Sequence, residues 1–295
     1  VLGRVDTRPG TQNLGMTPVE RRRLAVEAAV AVAKELGLGV LRPRVLKDSN
    51  NTIVHLGPAP LVAKVGTSHF RDARLESLQR ELAVAEHLAE RGAPVIAPAR
   101  DVASGPHRWQ ALTVSLWQYA EPAAVGEVDQ GEVAAALQAV HAALVDFPGS
   151  LPPFGLALED ARRLLLPERS PALAAADRSL LCTVLDEVQV ALPVLMDVRP
   201  LHGSPHSGNW LQTADRLLLL DFETACRGPL EWDVAALGDE AAALFPNIDA
   251  ELVALLRRMR SACVAAKCWT EPNRAPEVFE AAHIHLKLLR GEPLD

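Results

Sequence analysis

The sequence predicts an α+β chain of two lobes: a small antiparallel sheet crossed by a helix, then a larger helical lobe. Three observations carry this. Residues 52–65 hold two short runs rich in β-branched residues around Gly57-Pro58-Ala59-Pro60, the pattern of a hairpin. After Glu121-Pro122 the pattern changes to amphipathic helix. A length of 295 residues, 49% of them apolar, is long for one core and comfortable for two lobes.

The elements follow in order. Residues 1–16 carry Gly, Pro, Thr and Asn without periodicity, which predicts a loose N-terminal arm. Thr17, Pro18 and Glu20 form a helix-start signature with a capping box. Leu24, Ala28, Ala31, Val32 and Leu36 then recur on one face until Gly37 and Gly39. The hairpin strands come next, 52–56 and 61–65, and a helix over 72–91. Two further strands are expected over 95–103 and 110–118, joined through Ser104-Gly105-Pro106. The front lobe is thus residues 17–118 and the back lobe 119–295. In the latter, helices are expected over 130–145, 173–198, 232–244, 249–268 and 275–290. An irregular stretch at 199–211 and an apolar strand at 216–222 lie among them.

The bulk numbers exclude several classes. A net charge of −7 argues against a general nucleic-acid binder, which needs a basic stripe. It permits a cationic small-molecule ligand. Cys182, Cys226, Cys263 and Cys268 form no CxxC pair or zinc spacing, as expected for free thiols in a reducing cytoplasm. No stretch is apolar for long enough to span a bilayer, and the N-terminus has no signal-peptide pattern.

The chemistry concentrates in Leu201-His202-Gly203-Ser204-Pro205-His206-Ser207-Gly208-Asn209 and in Leu218-Leu219-Leu220-Asp221-Phe222-Glu223. An amide at 209 and a carboxylate at 221, on neighbouring strand ends, can converge on one Mg²⁺, a hard cation that takes few protein oxygens. Upstream, Lys64 stands in Val62-Ala63-Lys64-Val65, and Glu81 stands on the following helix. A lysine buried among Val and Ala requires a carboxylate partner.

This order of residues resembles the aminoglycoside phosphotransferase and choline kinase-like family of small-molecule kinases. Its pattern is H-G-D-x-H-x-x-N, then an apolar strand and D-F-E; here His202, Gly203, His206, Asn209, Asp221 and Phe222 fall in register. The resemblance implies a protein-kinase-like two-lobed fold and an ATP-dependent phosphotransferase with a hydroxyl acceptor. It implies that Asn209 and Asp221 hold Mg²⁺ under the ATP phosphates, with Asp221 also catalytic, and that Lys64 and Glu81 form the phosphate-binding pair. Ser49 and Asn50 would belong to the loop over the phosphates; a plain polar turn is the alternative. Residues 116–119 would be the hinge, its backbone binding adenine, with Trp117 and Tyr119 either lining the pocket or packing in the core. Asp233 reads as an N-cap that ties the loop, and His141 as a satisfied structural histidine. The acceptor is expected among the C-terminal helices, 155–170 and 235–290, with Glu159, Asp160, Glu231, Asp239, Glu240, Trp269 and His285 as candidate lining groups. No segment ending in A-P-E follows Asp221, which separates the chain from protein kinases.

One position departs from the pattern. Ser204 stands where the family has its catalytic aspartate. A serine hydroxyl is no base at neutral pH, and general-base help is worth about 10²–10⁴-fold. His206 and Glu223 are the substitutes within reach in sequence. Two function classes follow: a small-molecule phosphotransferase, and a catalytically silent relative that binds nucleotide or metabolite as a regulator or scaffold.

Overall fold

The computed structural model describes residues 17–39, 41–67, 72–123, 126, 128–192, 198–272 and 275–293. The expected N-terminal arm lies outside them. Helix α1 (Pro18–Glu35) opens with the capping box: Thr17 accepts from the Glu20 amide, and the Glu20 carboxylate accepts from the Thr17 amide. Its buried stripe is Ala25, Ala28, Ala29, Val32 and Ala33. This is rotated from the expected face, because the small alanines let the helix lie close on the sheet.

The front sheet has the order β1-β2-β3-β5-β4, all antiparallel, with β1 Arg42–Asp48, β2 Asn51–Gly57, β3 Leu61–Gly66, β4 His107–Trp109 and β5 Leu112–Gln118. The hairpin β2–β3 is the one the sequence predicts. The edge strand β1 was not expected: it is mostly exposed and its run RPRVLKD has no apolar alternation. The strand expected over 95–103 is absent. Pro94 just before that segment and Pro98 within it cannot donate to a ladder, and the segment makes only isolated bridges, Val95 to Leu219 and Pro98 to Trp117. It works as a staple: the Gln118 amide donates to the Ala97 carbonyl, and the Ile96 amide to the Leu219 carbonyl.

Helix α2 (Asp72–Glu90) follows β3. Its buried Leu82, Val84, Ala85 and Leu88 belong to the core of the helical lobe, whereas α1 and the sheet enclose a separate core. The helical lobe continues with α3 (Gln130–Leu144), α4 (Leu156–Leu164) and α5 (Ala175–Ala191). Helix α5 ends short of the expected 198, and residues 193–197 lie outside the described set. Two small hairpin-like pairs follow, β6 (Arg199–Leu201) with β9 (Cys226–Gly228), and β7 (Trp210–Gln212) with β8 (Leu217–Leu219). The single helix expected over 232–244 is two, α6 (Leu230–Val234) and α7 (Asp239–Ala242), split at Gly238. Helices α8 (Ala250–Cys268) and α9 (Pro276–Arg290) pack on one another. Among the described residues, no helix is long and apolar enough to cross a membrane.

Candidate active site

The alternation of β3 sends Ala63 and Val65 into the front core and Lys64 to the opposite face, toward the helical lobe. The register places Ile53 and Ser115 beside Lys64, and His55 and Trp117 beside Val62. These residues therefore share the face that looks into the cleft.

Lys64 is buried, and three carboxylates surround its ammonium. Nζ donates to Glu81 Oε1 at 2.8 Å and Oε2 at 2.9 Å, lies 3.0 Å from Asp221 Oδ1, and lies 2.7 Å from Glu223 Oε1. Glu81 is 1% exposed on the same α2 stripe as Leu78, Leu82 and Ala85, so the helix face that packs the core also presents the acid. Burial alone would lower the lysine pKa, but the three acids outweigh it and hold the ammonium charged. Burial pushes Glu81 up to about 8, while Lys64 outweighs burial at Asp221 and brings it to about 2.

Three acids thus face one lysine, Glu81 buried and Asp221 and Glu223 partly exposed to the cleft. The oxygens of Glu81, Asp221 and Glu223 lie within 4.8 Å of one another. Such an all-oxygen donor set fits a hard divalent cation. Asp221 is aimed by its backbone, which adopts the left-handed region at φ 69° and ψ 67° just after β8, a costly conformation for a non-glycine residue. Asn209 is buried one strand away; its Nδ2 donates to the Ser204 carbonyl at 2.9 Å, which leaves the amide oxygen as the ligand-competent atom. The backbone ties both segments, with the Leu220 amide on the Asn209 carbonyl at 3.1 Å.

Residues 202–209 are held from behind. The Asp233 carboxylate, fully buried, accepts from the amides of His202 and Gly203 and from His141 Nε2, each at 2.8 Å. Burial alone would raise its pKa; the His141 ring and neighbouring positive groups outweigh that and hold it low. Asp233 lies inside α6, not at its N-cap as expected; the cap is Pro229. His141 is the satisfied histidine the sequence predicts. Arg260 of α8 was not foreseen: it donates to the Gly203 carbonyl at 2.9 Å, to the Trp232 carbonyl, and stacks 3.9 Å over the Trp232 ring. His202 packs against Phe222 with centroids 4.4 Å apart and the rings tilted by 33°. Asp233→Ala removes a buried charge and strands these partners, so a loss of about 3–5 kcal/mol is expected. Because its pKa is depressed, that stabilisation is present above the ordinary carboxylate value and fades as pH falls through the folded one. Calorimetric melts should therefore show the gap between variant and parent closing in acid; equal melting at pH 7 would remove Asp233 as the anchor.

Ser204 is half-buried, and its amide donates to His202 Nδ1 at 3.3 Å. His206 caps the turn that follows, its Nδ1 accepting the Gly208 amide at 3.1 Å. Crowding of the ring, followed by the positive Arg260, lowers its pKa to about 4, so the imidazole is neutral and one nitrogen is already engaged. The turn between β1 and β2, which holds Ser49 and Asn50, reaches down to this level. Lys47 Nζ donates to the Gly208 carbonyl at 3.3 Å, and Asn51 Nδ2 to Glu223 Oε1 at 3.0 Å. Glu223 is thus a cleft residue, and its backbone carbonyl accepts from Arg80.

At the hinge, Trp117 is buried and donates through Nε1 to Ser115 Oγ at 2.9 Å. Tyr119 stacks on His55 with centroids 4.0 Å apart and donates to Glu121. The amides of Gln118 and Tyr119 are consumed by the carbonyls of Ala97 and Pro60. The expected acceptor-lining acids are not gathered at the loop: Asp160 pairs with Arg163, Asp239 with Arg257, Glu231 accepts from the Asp249 amide, and Glu159 and Glu240 are exposed. Trp269 Nε1 and His285 Nδ1 are buried without a hydrogen-bond partner among the described residues.

A model of the phosphotransferase enzyme family (APH) matches residues 37–270. A comparison with curated proteins finds no match. Among solved structures, amicoumacin kinase hAmiN in complex with AMP-PNP, Ca²⁺ and Ami is similar at TM-score 0.63 and 13% identity, over 92% of this chain and 97% of that one. Choline kinase LicA from Streptococcus pneumoniae gives 0.61 and 14%, over 90% and 99%. Spectinomycin phosphotransferase APH(9)-Ia in complex with ADP and spectinomycin gives 0.63 and 12%, over 90% and 97%. At these identities the likeness shows the fold, which is the two-lobed protein-kinase-like arrangement.

Proposed function

From the premise that the chain belongs to the phosphotransferase enzyme family, we propose that it transfers the γ-phosphoryl group of ATP to a hydroxyl of a small molecule, with Mg²⁺. The observation that carries this reading is the Lys64 ammonium clasped by Glu81 with Asp221 at 3.0 Å. A lysine so held is a fixed positive charge in a cleft, and charge stabilisation with positioning does most of the work in phosphoryl transfer.

The roles follow from placement. Lys64 meets the phosphates and Glu81 fixes its position. Asp221 and the Asn209 amide oxygen hold the metal, with Glu223 beside them; bound there, Mg²⁺ would neutralise phosphate charge. Ser49 and Asn50 cover the phosphates from the β1–β2 turn. The base lies against His55, Val62 and Trp117, and its edge meets the backbone at 120–121, one step beyond the expected hinge, because the amides at 118 and 119 are already engaged. The acceptor oxygen forms the new P–O bond, the bond to the β–γ bridging oxygen breaks, ADP leaves, and the hydroxyl proton passes to water. Ser204 orients that hydroxyl without accepting its proton. His206 shapes the loop. Four free cysteines suit a reducing, cytoplasmic setting.

Ser204 favours a second reading, a relative that binds Mg-ATP and transfers nothing. The two separate in one experiment. Mg-ATP should raise the melting temperature of the parent and not of Asp221→Asn. Ser204→Asp restores a base, so turnover with a panel of hydroxyl acceptors should rise about 10²–10⁴-fold. Nucleotide binding with no turnover in either form, for any acceptor, would leave the silent reading standing.

A further inference from the structure

We propose, resting on the phosphotransferase reading, that helix α1 serves the nucleotide site: Arg21 is a positioning residue that holds the β1–β2 turn over the phosphates by gripping Asp48 at its foot. Three observations converge. First, β1 carries a bulge. Val45 pairs with Val54 and Lys47 with Ile53, so Leu46 is an extra residue. Such a bulge reverses the facing of the residues after it. Lys47 thereby joins Ile53 on the cleft face and reaches the Gly208 carbonyl, while Asp48 joins Thr52 on the face that α1 covers. Plain alternation from Val45, which packs on the front core, would turn the acid into the cleft and the lysine out of it.

Second, Asp48 is saturated from the α1 side. Arg21 closes a two-pronged pair on it, Nε to Oδ1 at 3.1 Å and Nη2 to Oδ2 at 2.9 Å. Arg22 Nε donates at 3.0 Å and Thr52 Oγ1 at 2.8 Å. These bonds use all of the about four lone-pair sites of a carboxylate. The Arg21 and Asp48 side chains are 6% and 3% exposed, so the pair is a buried fork, not a surface contact. It also cancels an acid that would repel phosphate from the residue next to Ser49. Third, arginine gains nothing locally at this place. Residue 21 ends the first turn of α1, near the positive end of the helix dipole, and Arg23 pairs instead with Glu27 of its own helix. Beyond Asp48 the Ser49 amide bonds the Asn51 carbonyl, and Asn51 Nδ2 bonds Glu223. The turn is therefore tied to α1 on one side and to the helical lobe on the other.

The test is calorimetric titration of the full chain with Mg-ADP and with adenosine, which has the base and sugar but no phosphate. Arg21→Met should weaken Mg-ADP about 10-fold, a part of what a charge-assisted pair is worth, and leave adenosine within about twofold. In an Asp48→Asn background the same change should cost no more than about twofold, since the partner charge is gone. Arg21→Lys keeps the charge and loses the fork; it disturbs folding less and should show the same split at about 3-fold. Arg23→Met, the exposed neighbour, should bind both ligands like the parent. Mg-ADP affinity equal to the parent's in both Arg21 variants, or adenosine weakening in step with Mg-ADP, overturns the proposal and leaves the pair as a support of the lobe. Failure of the parent itself to bind Mg-ADP would instead overturn the phosphotransferase reading and this inference with it.

Discussion

Lys64→Met is expected to slow phosphoryl transfer about 10²–10³-fold while leaving a protein that folds best in mild acid. The substitution keeps the length of the side chain and removes the charge from the centre of Glu81, Asp221 and Glu223. Loss of one fixed positive group aimed at developing charge costs about 10²–10³-fold in rate. The structural cost is separate. Removing one partner of a buried ion pair destabilises by about 3–5 kcal/mol when the other stays charged. Glu81 need not stay charged: burial already raises it to about 8, and without Lys64 it rises further. The unfolded chain returns it to the ordinary carboxylate value. The folded variant therefore binds the extra proton, and stability falls as pH rises from the unfolded value through the folded one. The parent shares this fall up to about 8, so melts across pH 5–9 should show the variant's deficit widening only above that value. The double variant Lys64→Met with Glu81→Gln should regain stability across that range and stay slow. A single variant that melts like the parent at every pH would show that Glu81 carries no charge to compensate. Turnover at the parent's rate would remove Lys64 from the chemistry.

The front hairpin and the site loop were legible in the sequence because their signals are local. A Gly-Pro turn between β-branched runs and a capping box each need only a few adjacent residues. The order Lys64, Glu81, Asn209, Asp221 was readable too, as a succession of residue types suited to phosphate and metal. Distances were not. That Asn51 bonds Glu223, that Arg260 grips Gly203 and that Lys47 reaches Gly208 depends on contacts across fifty or more residues, which no local pattern encodes. Asp233 and His141 each read as structural, yet only packing shows that they bond to each other. Errors of the opposite kind came from composition. The segment 95–103 is apolar enough for a strand but holds Pro98 and follows Pro94, and the lobes use it as a strap between Trp117 and Leu219. Strand β1 is polar because it is an edge, and an edge need not alternate. The acceptor side was the least legible: net charge of the whole chain says nothing about which sign faces one loop.

Gly203→Ala should damage the fold more than any other glycine substitution in the helical lobe. Its φ is +88°, and a Cβ there would stand 1.9 Å from the Thr224 carbonyl oxygen, backbone rather than a yielding side chain. The chain cannot step aside cheaply. The Gly203 amide is bonded to Asp233 and its carbonyl to Arg260, so relief of the clash stretches two charge-assisted hydrogen bonds, each worth about 1.5–3 kcal/mol. Left-handed backbone adds about 1–2 kcal/mol for a residue with a Cβ. Together these predict a loss on the order of 4 kcal/mol or more, in the range that marks a specific structural defect. Gly92→Ala is the control: its φ is +73°, yet nothing lies within 4 Å of the added methyl, so it should show the conformational cost alone, about 1–2 kcal/mol. Urea titrations of the two variants measure the difference directly. Equal losses would mean that the loop slides freely over residue 224, and the case for Asp233 and Arg260 as its clamps would fail. A larger loss at 203, with nucleotide affinity falling alongside it, would tie the geometry of the loop to the proposed metal pair, since Asn209 bonds the loop through the carbonyls of Ser204 and His206.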